Sequence, residues 1–538
     1  MKRRSIIGSL TLVAAITAAC SSTPSATTTT TTSTLIHTPN CPPGDVAGGP
    51  TGCYLIPPGI QKVKHVIMIM QENRSFDNYF GTYPGALGIP MRNGVPTVCV
   101  PNPATHVCDK PFHDVYDVNG GGPHSEPFAL ADVDGGKMDG FIGSVLKVAK
   151  TCTSPQDPSC VFVKFGGKSG VPDVMGYHTA AEIPNYWTYA KDFVLADHMF
   201  EPVKSWSLPD HLYQVSAWSA HCANTNPMSC QNSIMPYTNR QFDSAVGSEV
   251  ATGTTSIDLA WTDETWLLYH HNVSWGYYVQ NGTQPDCAND AALTCPPVPQ
   301  NWRTPGIWNP LPLFTDVQND HQEKNVQPLG NFLTQAKSGT LPAVSWIAPS
   351  QLDSEHPPGS IHNGQAYVTA LINAIMKSPD WSSSAIFLAW DDWGGFYDNV
   401  VPPTIDANGY GMRVPAMIIS PYAKKGWMDT QTLSSDAFLK FIEDDFLNGA
   451  RLNPKTDGRP DPRPDVREDA SQLGNLANAF DFSQAPRPPM LLPTNPPSDS
   501  PDLPTWFKGL GPCDGCTALP VGTTGTGPPG SKPPPQSK

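Results

Sequence analysis

Apolar residues cluster in short runs at positions 63–70, 193–196, 343–347, 385–390 and 414–419, and each run stops at polar residues or at Gly and Pro. Runs of this length between breakers predict strands covered on both faces, as in a sheet sandwiched by helices. Helical periodicity fills gaps between the later ones. In "GQAYVTALINAIMK", Val368, Leu371, Ile372 and Ile375 fall at i, i+3, i+4 and i+7 and form one apolar stripe. "SSDAFLKFIEDDFLNG" repeats the theme, with a serine cap in front and Gly449 as terminator. Strand and helix alternate, so the pattern predicts an α/β fold with a central sheet flanked by helices. Segments 86–170 and 221–330 are rich in Gly, Pro and Cys and lack a clear period. They read as insertions walling a site.

Composition sharpens this picture. The 538 residues suffice for one large core with long insertions, and 59 prolines and 45 glycines with only 15% charged residues mean many loops. A formal net charge of -15 argues against nucleic acid as a partner, because neutralising a phosphate backbone takes basic surface.

The N-terminus "MKRRSIIGSLTLVAAITAAC" has a basic start, a short apolar run and small residues before Cys20, the pattern of an export signal. "TAAC" is similar to a bacterial lipobox, with Thr17 where Leu or Val is usual, so residues 1–20 predict a lipoprotein-type signal and attachment to a membrane through a lipidated Cys20. The expected location is the cell surface or outside the cell. Residues 21–40 then form a Thr/Ser-rich tether, 41–516 the folded catalytic domain, and 517–538 a disordered Pro/Gly-rich tail. Setting Cys20 aside leaves twelve cysteines that fall as neighbours: 41 with 53, 99 with 108, 152 with 160, 222 with 230, 287 with 295, and 513 with 516. In an exported chain this spacing predicts disulfides stapling small loops. "CDGC" also fits a redox or metal motif, against which stands the Pro/Gly-rich tail that follows it.

Chemistry gathers where the predicted strands end, which is where sheet proteins of this class bind ligands. The first run stops at Gln71-Glu72-Asn73. The run at 193–196 leads to "EPVKSWSLPDHLYQVSAWSA", in which Ser207 begins a helix with Pro209 in its first turn. The run at 343–347 leads to "APSQLDSEHPPGS" with His356, and the run at 385–390 leads straight into Asp391-Asp392. Two carboxylates at the tip of a buried strand cost much desolvation energy unless a cation or hydrogen bonds offset it. The alternative is a solvated turn before Gly394-Gly395. Glu72-Asn73 has its own alternative, a helix cap beside an ion pair to Arg74, and Ser207 has that of a plain N-cap. His124, in "NGGGPHSEPF", has no role that local pattern assigns. His270-His271 closes an apparent helix, where imidazoles complement the dipole. The chain lacks G-x-S-x-G and H-E-x-x-H.

The motifs "QENRSFDNYFG", "GGKMDGF", "SWSLPDHLYQVSA", "SEHPP", "LAWDDWGGFYDNVVPP" and "GYGMRVPAMIISPYA" resemble, in this order, those of the bacterial phosphoesterase family of acid phosphatases and phospholipases C. The resemblance spans about residues 60–450. It implies an alkaline-phosphatase-like core and a covalent phospho-enzyme. By motif, Glu72, Asn73, Asp391 and Asp392 resemble the family's metal and phosphate ligands, Ser207 its nucleophile, and His356 and His124 the histidines lining its phosphate pocket. The chain departs from the family at Pro209-Asp210-His211, where Pro-Asn-His or Pro-Asn-Arg is common, and at "GIWNPLPLF", where further histidines would stand.

The expectation is thus a phosphoric ester hydrolase using a divalent metal ion and a phosphoserine, with a phospholipid head group or a small phosphomonoester as substrate. An oxygen-rich ligand set suits Mg, Ca or Mn better than Zn. The rival readings are a phosphomonoesterase or sulfatase on the same core, and a catalytically silent surface lipoprotein that binds ligands. No sulfatase modification motif is present, and a binding module has no need of paired acids beside a nucleophile.

Overall fold

The computed structural model describes residues 41–49, 51–149, 170–234, 257–284, 298–453, 457–458 and 467–497. Its centre is an eight-stranded sheet: β1 (His65–Gln71), β2 (Val194–Ala196), β3 (Trp275–Val279), β4 (Val326–Pro328), β5 (Val344–Ala348), β6 (Ser384–Trp390), β7 (Ala416–Ile419) and β8 (Trp427–Asp429). The strand order is β4-β3-β5-β1-β6-β7-β2-β8. Only β7 runs against its neighbours β6 and β2; the remaining pairs are parallel. The result is the mixed α/β architecture that the alternation of apolar runs implies.

The two central strands show why the sheet forms where it does. Val66 to Met70 in β1 and all seven residues of β6 are buried, so neither strand has a solvent face and neither alternates. Each large apolar side chain so buried contributes about 1.5–3 kcal/mol, which draws the polar strand tips inward with it. Four helices carry segments that the sequence singles out: α1 (Phe76–Phe80), α2 (Ser207–Ser216), α3 (Ile361–Lys377) and α4 (Ser435–Leu447). The predicted stripe Val368, Leu371, Ile372 and Ile375 of α3 is fully buried, and Ser360 caps the helix by accepting from the Asn363 amide. In α4, Ser434 is the cap, and Phe438 and Phe441 pack on Phe387 of β6 with ring centroids 5.1 and 5.2 Å apart. Its chain reverses through Asn448 and Gly449, both with positive φ.

Segment 221–330 departs from its reading as an irregular insertion, because it supplies β3 and β4 of the main sheet. β3 reads Trp-Gly-Tyr-Tyr-Val, buried throughout and paired to β5 in register from Trp275–Val344 to Val279–Ala348. Gly276 and two tyrosines interrupt its apolar residues inside a Gly/Pro/Cys-rich segment, so it does not stand out as a run. Disulfides join Cys41 to Cys53, Cys99 to Cys108 and Cys222 to Cys230, as neighbour spacing predicts. Cys152, Cys160, Cys287, Cys295, Cys513, Cys516 and Cys20 lie outside the described residues, as do the leader, tether and tail. His270 ends the helix Glu264–His270, and its Nε2 sits 3.4 Å from Asp320, a structural contact. Among the described residues, no helix is long and apolar enough to cross a membrane.

Candidate active site

Strand register assembles the first half of the site. β1 and β6 are parallel with Gln71 opposite Trp390, so Glu72-Asn73 and Asp391-Asp392 emerge side by side at the same sheet edge. The Asp391 amide donates to the Gln71 carbonyl (3.0 Å), and the Asn73 amide donates back to Asp391 Oδ1 (2.8 Å). Asn73 Nδ2 donates to Asp392 Oδ1 at 2.7 Å, and so does the Gly394 amide at 2.7 Å. Gly394 has φ +60, and a Cβ on it would lie 2.5 Å from the Asn73 carbonyl, so this close crossing requires glycine. Asn73 itself takes a left-handed conformation, with φ 56. This geometry differs from a helix cap with an ion pair: Ser75 caps α1, and Arg74 turns to Asn119 Oδ1 (2.8 Å) and the Glu355 carbonyl (2.7 Å).

α2 brings the second half. Trp206 is its N-cap residue, with no side-chain capping bond, and Ser207 is the first helical residue. The Ser207 hydroxyl therefore does not cap; it donates to Asp392 Oδ2 at 3.1 Å, across 185 residues of chain. One turn later His211 points the same way, with Nε2 3.0 Å from Glu72 Oε1 and 4.0 Å from Asp391 Oδ2. Glu72, His211 and Asp391 each offer a ligand atom, and these atoms all lie within 4.8 Å of one another. Asn73 Oδ1 and Asp391 Oδ2 are buried without a hydrogen-bond partner.

Imidazoles and indoles line the other side. The loop after β5 is tied to the tip of β1, since the Glu72 amide donates to the Ser354 carbonyl (2.9 Å) and Gln71 Nε2 to the Asp353 carbonyl (2.8 Å). In this loop His356 Nδ1 donates to the Pro357 carbonyl at 2.8 Å, leaving Nε2 as a buried lone pair without a partner. His124 reaches the same place: its ring centroid is 6.0 Å from that of His356, and its Nδ1 donates to the Gly122 carbonyl at 3.0 Å. Trp308 neighbours two of these rings, 6.3 Å from His211 and 6.5 Å from His356 by ring centroid.

Electrostatics favour a cation here. Glu72, Asp391 and Asp392 are essentially unexposed, and so are the neighbouring Glu201 and Asp210. Burial first, and then the facing carboxylates, push Glu201 and Asp210 well above the usual range. Burial acts the same way on Asp391, but hydrogen bonds with the Glu72 and Ser207 side chains and the Asn73 amide hold it below its ordinary value. Burial lowers His211 to about 4 and, with His124 nearby, His356 to about 3, so both imidazoles are neutral at pH 7. Buried anions beside neutral rings are unstable without a compensating positive charge. Unpartnered Asn73 and Asp391 oxygens, together with the clustered Glu72, His211 and Asp391 atoms, are donors that a divalent cation would use.

All seven residues singled out from sequence thus meet in one region: Ser207, Glu72, Asn73, Asp391 and Asp392 in direct contact, His356 and His124 beside them. Sequence reasoning passed over His211 and Trp308 as site groups, noting them only as departures from a familiar pattern. The spacing of Ser207 and His211, four residues apart on one helix, places both on one face and is the signal that finds His211.

Residues 63–447 match the model of the Phosphoesterase family, and the chain belongs to that family. It is similar to non-hemolytic phospholipase C of Burkholderia pseudomallei, 27% identical over 475 residues, covering 79% of this chain and 60% of that protein. Phospholipase C A of Mycobacterium tuberculosis is 25% identical over 468 residues, covering 80% of this chain and 79% of that one. The chain therefore spans less than two thirds of the first relative's length and about four fifths of the second's.

Proposed function

We propose that the protein hydrolyses phosphoric esters through a phosphoserine formed on Ser207, with a divalent metal ion held by Glu72, Asn73, Asp391 and Asp392 and with His211 as a further ligand. The observation that carries this reading is the Ser207 hydroxyl, hydrogen-bonded to Asp392 Oδ2 at the open N-terminus of α2 beside the Glu72–His211–Asp391 group. When bound, the metal would supply positive charge that favours the serine alkoxide and offsets phosphoryl charge.

The chain's own groups account for the proton movements. Ser207 Oγ attacks phosphorus as its proton passes to Asp392 Oδ2, forming the P–O bond to serine while the ester P–O bond breaks. The amides of the first turn of α2, which have no helical acceptors, receive phosphoryl oxygens. His356 is fixed with its proton on Nδ1, so Nε2 is the atom that holds the proton taken from the attacking water of one turnover and gives it to the leaving oxygen of the next. His124 flanks it and binds a phosphoryl oxygen. In the second half, water attacks the phosphoserine, its proton goes to His356 Nε2, and Ser207 recovers its own from Asp392.

The relatives' names, all phospholipase C, favour a phosphodiester bearing a head group over a simple monoester. Trp308-Asn309, which replaces the family's usual histidines, bears on the leaving-group side and so on the substrate. Export and a lipidated Cys20 belong to the same reading and rest on the leader's sequence alone. The test is turnover of p-nitrophenyl phosphate and p-nitrophenyl phosphorylcholine with and without chelator. Hydrolysis of at least one, abolished by chelation and restored by added divalent cation, is expected. Turnover that survives complete metal removal overturns the metal assignment, and hydrolysis of neither ester overturns the reaction.

A further inference from the structure

Glu355 precedes His356, and its side chain is fully buried. Three donors from three separate elements converge on its carboxylate: Tyr79 Oη at 2.5 Å from α1, Tyr186 Oη at 2.5 Å from the helix Pro184–Asp192, and Trp390 Nε1 at 3.0 Å from the end of β6. Its main-chain carbonyl accepts from Arg74 at 2.7 Å. The backbone at Glu355 has φ 71, a left-handed value uncommon for a residue with a side chain, which persists only where surrounding contacts over-determine it. α3 makes room for it: a Cβ on Gly364 would lie 2.1 Å from Glu355 Cγ.

The donors come from the segments that carry the rest of the site. Tyr79 follows Glu72-Asn73 on the same stretch, and Trp390 immediately precedes Asp391. A carboxylate clamped on both oxygens, with its carbonyl held too, leaves the chain one direction in which to continue, and His356 is what continues. We infer that Glu355 is a positioning residue: its buried clamp by Tyr79, Tyr186 and Trp390 ties the loop after β5 to the tips of β1 and β6 and thereby aims His356 into the site. This rests on the reading of His356 as a group that faces the phosphoryl oxygens, and it adds what holds that imidazole there.

A double-mutant cycle tests it. Glu355→Gln keeps the volume but puts an amide nitrogen, itself a donor, where one carboxylate oxygen accepts, and should lower kcat/KM by about 10–100-fold, as loss of a supporting partner around a site does. Tyr186→Phe removes one donor from outside the site and should give a smaller loss in the same direction; it also serves if Glu355→Gln fails to fold. In a His356→Asn background each of these changes should cost less than about twofold, because a group that acts through His356 has nothing left to position. Penalties of full size in that background, or wild-type turnover in Glu355→Gln, overturn the inference. A second readout does not depend on turnover. With histidine labelled in nitrogen-15, the His356 ring signals, assigned by their loss in His356→Asn, should move in both Glu355→Gln and Tyr186→Phe. Signals that stay in place overturn it as well. If the wild type hydrolyses neither ester, the proposed reaction fails and the ring signals alone decide whether Glu355 positions His356.

Discussion

Replacing Ser207 by alanine separates its two roles by size of effect. In the structure the hydroxyl donates to a buried carboxylate oxygen of Asp392. Bonds to charged groups are worth about 1.5–3 kcal/mol, and alanine in the first helical turn returns up to about 0.5 kcal/mol through its higher propensity. No cap is lost, since Trp206 occupies the N-cap position. The net cost is about 1–3 kcal/mol, small against the ~5–15 kcal/mol typical of folded proteins, so nearly all the variant stays folded. Loss of a nucleophile acts on a different scale, roughly 10⁴–10⁶-fold in kcat, or about 5–8 kcal/mol of barrier. The assay pairs turnover of the better p-nitrophenyl ester with a thermal melt on the same sample, and adds an acid quench after brief incubation with labelled substrate. The wild type should carry label on the peptide containing "SWSLPDHLYQ", assigned to Ser207 by fragmentation. Ser205 lies on the same peptide, but its hydroxyl donates to the Ile234 carbonyl. An unlabelled peptide together with Ser207→Ala turnover within tenfold of wild type refutes the covalent mechanism.

The same geometry sets further outcomes. Asp391→Asn and Asp392→Asn should each lower bound metal and turnover together while leaving the far-ultraviolet circular dichroism unchanged; unaltered metal content in both variants removes them as ligands. His211→Asn should reduce metal content too, because Glu72 Oε1 and Asp391 lose their shared imidazole neighbour, and full metal occupancy in this variant would limit His211 to a structural role. His178 gives a pH dependence away from the site. Its Nε2 donates to Asn119 Oδ1 at 2.9 Å, and burial, then the Arg74 charge, lower it to about 3. The unfolded imidazole takes up a proton below pH 6.5 and the folded one does not until about pH 3, so this group's stabilisation is lost as pH falls through that window. Relative to His178→Gln, the wild type should lose up to about 1.4 kcal/mol per pH unit below about 6.5 in denaturant melts; parallel stability curves would show that His178 titrates alike in both states.

What the sequence determined by itself is what depends on neighbours along the chain. The apolar runs that became β1, β2, β5, β6 and β7, the buried stripe of α3, the cap and terminator of α4, and the start of α2 at Ser207 are set by local period, capping and backbone preference. The hairpin disulfides are legible for the same reason, since their cysteines sit close in sequence. The aromatic β3 escaped because Gly276, Tyr277 and Tyr278 break up the aliphatic run that marks the other strands. Tertiary structure decided the rest. Whether Ser207 capped its helix or met a carboxylate turned on the pairing of distant segments: Ser207 meets Asp392 across 185 residues, and His211 meets Glu72 across 139. Strand register and the rotation of α2 about its axis fix these contacts. Both are set by packing over the whole sheet, which no local window of sequence contains. Glu355 shows the limit most plainly, because its meaning lies in three donors from three elements that only the assembled fold brings to one carboxylate.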